Sequence, residues 1–153
     1  MVYTNVSKKG KLLIYTRKPE AEAYGPGLSN SAHLAYSFDG KTFLPLNRNY
    51  GVLFASATIV QPDTLHEKGL KSPWLFRTAE GAFAVVAVRV NLDGSADEES
   101  RGKILLWTSP DLIHFTEQGL VDLGMDVFVR QCACEYDPAI RQYRIHWQAE
   151  DGT

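Results

Sequence analysis

Cysteine is almost absent from this chain: Cys132 and Cys134 are the only thiols among 153 residues. Residues two apart on a strand face the same way, but their spacing and orientation suit a disulfide poorly. Two thiolates with no further Cys and no close His pair do not complete a zinc site. Both therefore read as buried strand cysteines. An excess of one charge is missing too. Sixteen Lys and Arg face 18 Asp and Glu, for a net charge of -2, which gives no electrostatic footprint for nucleic acid or an acidic membrane. No apolar run approaches the roughly 20 residues of a membrane span. Met1 to Gly10 carries lysines but no apolar core for a signal peptide. The expected location is cytoplasmic, with neither nucleic acid nor membrane as partner. No phosphate-cradling glycine loop, nucleophile elbow or thiol–His pair stands out.

What the chain does have is strand signal. Hydrophobic residues make up 44% and aromatics 11%, an ordinary globular composition that excludes a disordered chain. The length suits one domain burying roughly 70% of its unfolded surface. Lys11–Arg17 is an apolar, partly β-branched run, followed by a Gly- and Pro-rich loop from Lys18 to Asn30 that holds Tyr24-Gly25-Pro26-Gly27. His33–Ser37, the turn Asp39-Gly40 and Thr42-Phe43-Leu44 read as a hairpin. A long connection, with a short apolar segment from Val52 to Ile59, leads to Pro73.

The second half repeats the plan. Trp74–Arg77 precedes a turn at Ala79-Glu80-Gly81, and Phe83–Val90 reads as a buried strand. An acidic loop, Asn91–Gly102, leads into Lys103–Thr108, then the turn Ser109-Pro110-Asp111 and a strand from His114. Set side by side, Tyr36–Phe43 and Trp107–Phe115 share an aromatic residue, a hydroxyl, a turn with Asp, then Phe, with one residue inserted in the second. Cys134–Pro138 and Tyr143–Trp147 begin a third unit. Repeats of about four strands are what a β-propeller leaves in a sequence. The expected fold is an all-β propeller fragment of about two and a half blades. Blade one spans about 1–58, blade two about 70–123, and the start of blade three about 127–153, as the front part of a longer protein. Exposed edge strands call for remaining blades, a partner domain or a second copy of the chain.

This plan resembles the five-bladed propeller of glycoside hydrolase family 43, the arabinosidases and xylosidases. The residues that carry the likeness are Ser72–Phe76, the tail Trp107–Leu112 ending in Phe115, and Tyr136-Asp137-Pro138 followed by Tyr143 and Trp147. The resemblance implies hydrolysis of glycosidic bonds by carboxylates, one protonating the leaving oxygen and another activating water or attacking carbon. The implied substrates are plant-type glycans of arabinose, xylose or galactose. The family places a base Asp in blade one, a pKa-tuning Asp before a Pro in blade two, and an acid Glu in blade three. Here Val2–Thr16 contains no carboxylate, Ser72 precedes Pro73, and the Glu position falls on Ala133. Glu135 lies on the same strand face as Ala133 and is the candidate for a displaced catalytic carboxylate. Its competing reading is a strand-end carboxylate paired with Arg130 or Arg144. The two functional expectations are thus a glycosidase-like domain acting on or binding carbohydrate, and a non-catalytic propeller domain for sugar binding or domain packing.

Other side chains are weighed for ligand roles. Trp74 and Tyr24 are candidate exposed platforms for a sugar ring, whereas Trp107 reads as core. Arg89, like Arg17, ends a central strand and is a candidate clamp for a ligand's hydroxyl or carboxylate. Pairing with Glu20 or Glu99 is the structural alternative. Asp63, His66 and Glu67 read as a surface loop without zincin spacing. The loop Asp93–Ser100 offers oxygens for Ca²⁺ but lacks EF-hand spacing and reads as a solvated hairpin tip. No cofactor is expected.

Overall fold

The computed structural model describes residues 10–20 and 24–150. Within them the chain is all-β, as expected, apart from one four-residue helix, α1 (Pro26–Ser29), and short 3-10 turns. Three strands, β1 (Lys11–Tyr15), β2 (His33–Ser37) and β3 (Leu44–Pro45), form the first sheet in the order β1-β2-β3. A small hairpin of β4 (Thr58–Ile59) and β5 (Leu65–His66) follows. The second sheet is a four-stranded antiparallel meander of β6 (Lys68–Arg77), β7 (Phe83–Asn91), β8 (Lys103–Ser109) and β9 (Thr116–Asp122). The third is the pair β10 (Val129–Asp137) and β11 (Gln142–Ala149). Sequential antiparallel meanders packed face to face are the architecture of a propeller fragment.

Strand alternation explains why the sheets stack. On β7, Val85 and Ala87 face one core with Ala32, Leu53, Leu70, Leu105 and Trp107. Val86, Val88 and Val90 face the other, with Ile104, Val129, Cys132 and Cys134. A strand buried on both faces needs apolar residues at every position, which is why Phe83–Val90 reads as a continuous hydrophobic run. Cys132 and Cys134 are free and buried. Burial pushes the Cys132 thiol up to about 12, so it stays protonated and packs as a small apolar group.

The turns fix how the units correspond. Ser37 Oγ accepts from Gly40 N, and Asp39 Oδ1 accepts from Lys41 N and Thr42 N, all at 2.8 Å. In the second sheet Ser109 Oγ accepts from Leu112 N, and Asp111 Oδ1 accepts from Ile113 N and His114 N. Gly40 and Leu112 hold the same left-handed position, at φ 71 and φ 65. Ser37 therefore matches Ser109 with no inserted residue, which corrects the alignment of Tyr36 with Trp107. The pairing register agrees: Lys11 faces Ser37 as Phe83 faces Ser109.

One consequence concerns the first sheet. β1 corresponds to β7, the second strand of its meander, and Arg17 corresponds to Arg89. The lack of a carboxylate in β1 therefore says nothing about a base on a blade's first strand. The rest of the Val2–Thr16 run, residues 2–9, lies outside the described residues.

Candidate functional site

The site begins with an irregularity. β6 pairs regularly with β7 except between Lys71 and Trp74, where the register shifts. Pro73 has no N–H for the ladder, and Ser72 sits at φ 50, a left-handed conformation costing a non-glycine residue about 1–2 kcal/mol. Bulges of this kind re-aim side chains. Here two hydrogen bonds tie the bulge to the next sheet: Ser72 Oγ donates to Arg130 O at 3.1 Å, and Trp74 Nε1 donates to Cys134 O at 2.9 Å. The indole is thereby fixed by its edge while 48% of the residue stays exposed.

Beside this bulge lies an open cavity of about 510 Å³, lined by Ser72, Pro73 and Trp74 from β6 and by residues of β10 and β11, among them Ala133, Gln131, His146 and Gln148. Gln131 Nε2 donates to Gln148 Oε1 at 2.8 Å across the two strands. The register sets Ala133 directly opposite His146 and Glu135 opposite Arg144. Ser72 and Ala133, the two places where the resemblance calls for carboxylates, thus meet in one cavity bearing a hydroxyl and a methyl. Glu135 is exposed beside it, with Oε1 3.6 Å from His146 Nε2. Arg144 is instead held by Asp137, at 2.5 Å. The sequence reading missed His146, because its relevance comes only from the strand register.

Two candidates are placed elsewhere. Tyr24 is 8% exposed, so it is no exposed platform. Its hydroxyl bonds His33 Nε2, and the Arg17 guanidinium covers its ring, 4.0 Å from the centroid. Arg89 is no free clamp either. Its Nε donates to Asp97 Oδ2 at 2.7 Å and its Nη2 to Glu99 Oε2 at 3.3 Å, while Lys68 Nζ donates to Asp97 Oδ1 at 2.8 Å. The Glu99 pairing was the alternative foreseen for Arg89; Asp97 and Lys68 were not foreseen. Burial alone would raise the Asp97 pKa, but hydrogen bonds from Lys68 and Arg89 outweigh it and hold the carboxyl below the usual range. Arg17 pairs with Glu20 at 2.7 Å.

In the loop weighed for Ca²⁺, Asp97 is committed to this ion network, and Asp93 Oδ1 accepts from Ser95 N. Asp63, His66 and Glu67 are exposed on and around the β4–β5 hairpin. Among the described residues no group of three His, Cys, Asp or Glu side chains is placed to hold a metal ion.

His33, fully buried, makes a stability prediction of its own. Its Nδ1 lies 3.1 Å from Ser31 O, which accepts the proton, and its Nε2 accepts from the Tyr24 hydroxyl. Burial lowers its pKa, with the nearby Arg17 charge adding to the effect. A histidine held neutral in the fold takes up its proton more readily when unfolded. Stability should therefore fall as pH drops below about 6.5 and level off beneath the folded pKa. Melting temperatures from pH 8 to 5 should show this slope, and His33→Gln should flatten it.

No curated protein and no solved structure matches the chain. A family model described as a probable glycosyl hydrolase domain, related to glycoside hydrolase family 43, matches residues 22–152. With the propeller-type meanders in place and most of its length matched, the chain belongs to that glycosyl hydrolase-like family.

Proposed function

We propose that this domain takes plant-type glycans of arabinose, xylose or galactose into the cavity between β6 and the β10–β11 pair. The observation that carries the reading is Trp74. An aromatic face held rigidly by its own N–H, beside the amides of Gln131 and Gln148 and the Ser72 hydroxyl, combines an apolar platform with fixed polar groups. That is the chemistry by which a sugar ring is bound: C–H groups lie on the aromatic face while hydroxyls find donors and acceptors at the rim. The family assignment favours carbohydrate as the ligand class.

A non-catalytic binding domain is the second reading, and a specific observation favours it: Ser72 and Ala133 stand where carboxylates would perform acid–base chemistry. Under either reading the remaining blades or a partner domain would lie beyond β11, whose outer edge carries no strand among the described residues.

Calorimetric titration with arabinan, xylan and galactan oligosaccharides tests the reading. Wild-type protein should bind at least one of the three. Trp74→Ala should weaken that binding by about tenfold, the equivalent of about 1.4 kcal/mol for one lost stacking contact. Absence of binding to all three, or binding indifferent to Trp74→Ala, would remove the platform from the account.

A further inference from the structure

We propose that His146 is the general acid of this cavity and that Glu135 is its positioning residue. The inference rests on the carbohydrate reading above. Among the described side chains lining the cavity, His146 and Cys132 are the ones of a type that can transfer a proton, and Cys132 is excluded because burial raises its thiol to about 12. His146 stands directly across the strand pair from Ala133, so the imidazole reaches the cavity from the strand facing the vacated Glu position. The proton carrier that β10 lacks at Ala133 is supplied from β11.

Glu135 completes the arrangement. Its Oε1 lies 3.6 Å from His146 Nε2, which sets that nitrogen toward the carboxylate and leaves Nδ1 as the nitrogen that delivers the proton. The two groups are too close together to flank a glycosidic bond as independent acid and base, for which about 5 Å or more is needed. Glu135 therefore acts through His146. The other charged groups on these two strands are Arg144 on β11 and Asp137 on β10, which bind each other at 2.5 Å, and Arg130 on β10. The β6 residues lining the cavity, Ser72, Pro73 and Trp74, are uncharged.

In the step proposed, the bond from the anomeric carbon to the leaving oxygen breaks and its electron pair stays on that oxygen. The oxygen takes the proton from His146 Nδ1. Water forms the new bond to the anomeric carbon, and the proton it sheds restores the imidazolium.

Aryl arabinofuranosides, xylosides and galactosides test this on the intact chain, each with a 2,4-dinitrophenyl or a 4-methoxyphenyl leaving group. His146→Gln should lower kcat/KM on the methoxyphenyl substrate by about 10²–10⁴-fold, the range for general acid catalysis. It should hardly change turnover of the dinitrophenyl substrate, whose leaving oxygen needs no proton. Glu135→Gln should lower kcat on the methoxyphenyl substrate while leaving KM unchanged, a split that a purely structural carboxylate would not cause. The His146 side chain is 66% exposed, so His146→Gln should keep the wild-type melting temperature.

Equal losses on both leaving groups, or no loss on either, would overturn the assignment. So would the absence of turnover of every substrate by the wild-type protein. In that last case Trp74-dependent oligosaccharide binding would survive if the carbohydrate reading holds, and would be absent if that reading fails as well.

Discussion

Replacing Asp97 by alanine is expected to destabilise the protein by about 3–5 kcal/mol, the usual consequence of removing one partner from a buried ion pair. The side chains of Asp97 and Lys68 are each 2% exposed, and that of Arg89 is 8% exposed. Without Asp97, Lys68 Nζ keeps, among the described residues, Glu99 at 3.6 Å and Asn91 Oδ1 at 3.4 Å. The loss also removes the acceptor for Glu99 N that caps the short 3-10 turn at 98–100. The size of the effect comes from the cations left behind, so removing a cation with it should reduce the damage. Lys68→Met combined with Asp97→Leu leaves Arg89 paired with Glu99 and should cost less than Asp97→Ala alone. Urea denaturation at pH 7 checks both. Because the Asp97 pKa is held down in the fold, its contribution is complete above the ordinary Asp range, near pH 4. It is lost only as pH falls through the depressed value.

Gly102→Ala should be nearly as damaging, for a steric reason. Gly102 lies at φ 67, and an added Cβ would stand 1.8 Å from the carbonyl oxygen of Met125. That neighbour is backbone and cannot swing aside. Gly102 N also donates to Val127 O at 2.7 Å, and Leu123 N donates to Gly102 O at 2.9 Å. The glycine thereby stitches the 123–128 loop just ahead of Val129, a member of the second core. Strain at a left-handed residue costs about 1–3 kcal/mol, and forced displacement of packed structure about 1–3 kcal/mol more. Gly81→Ala is the control: its φ is 82, but an added Cβ meets nothing within 4 Å, so only the strain remains. The difference between the two urea midpoints isolates the clash.

Much of this architecture could be read from the residues, and the misses have physical causes. Alternating or continuous apolar runs and Asp-containing turns located every major strand, because period-two burial is a local property. The repeat alignment slipped by one residue because Tyr36 and Trp107 match as aromatics. The true match rests on the Ser37 and Ser109 hydroxyls, each capping a backbone N–H, which no hydrophobicity pattern records. Tyr24 reads as exposed in its Gly- and Pro-rich loop, yet it is covered by His33 of β2 and by Arg17, two residues past the end of β1. For Arg89 the clamp reading gives way to the Glu99 pairing weighed as its alternative, while Lys68 joins the network through tertiary contact alone. Trp74 is exposed as expected, while the bond that fixes its indole to Cys134 O of β10 comes from tertiary contact.

The double life of β7 has a consequence for how the chain comes apart. Its odd-numbered residues seal one core and its even-numbered residues the other, so neither sheet interface can open without exposing a face of the same strand. Separating one sheet from the next therefore carries the cost of exposing β7's apolar face. Opening either interface strips an apolar face from β7, so motion is cheaper in the loops at the rim than between the sheets.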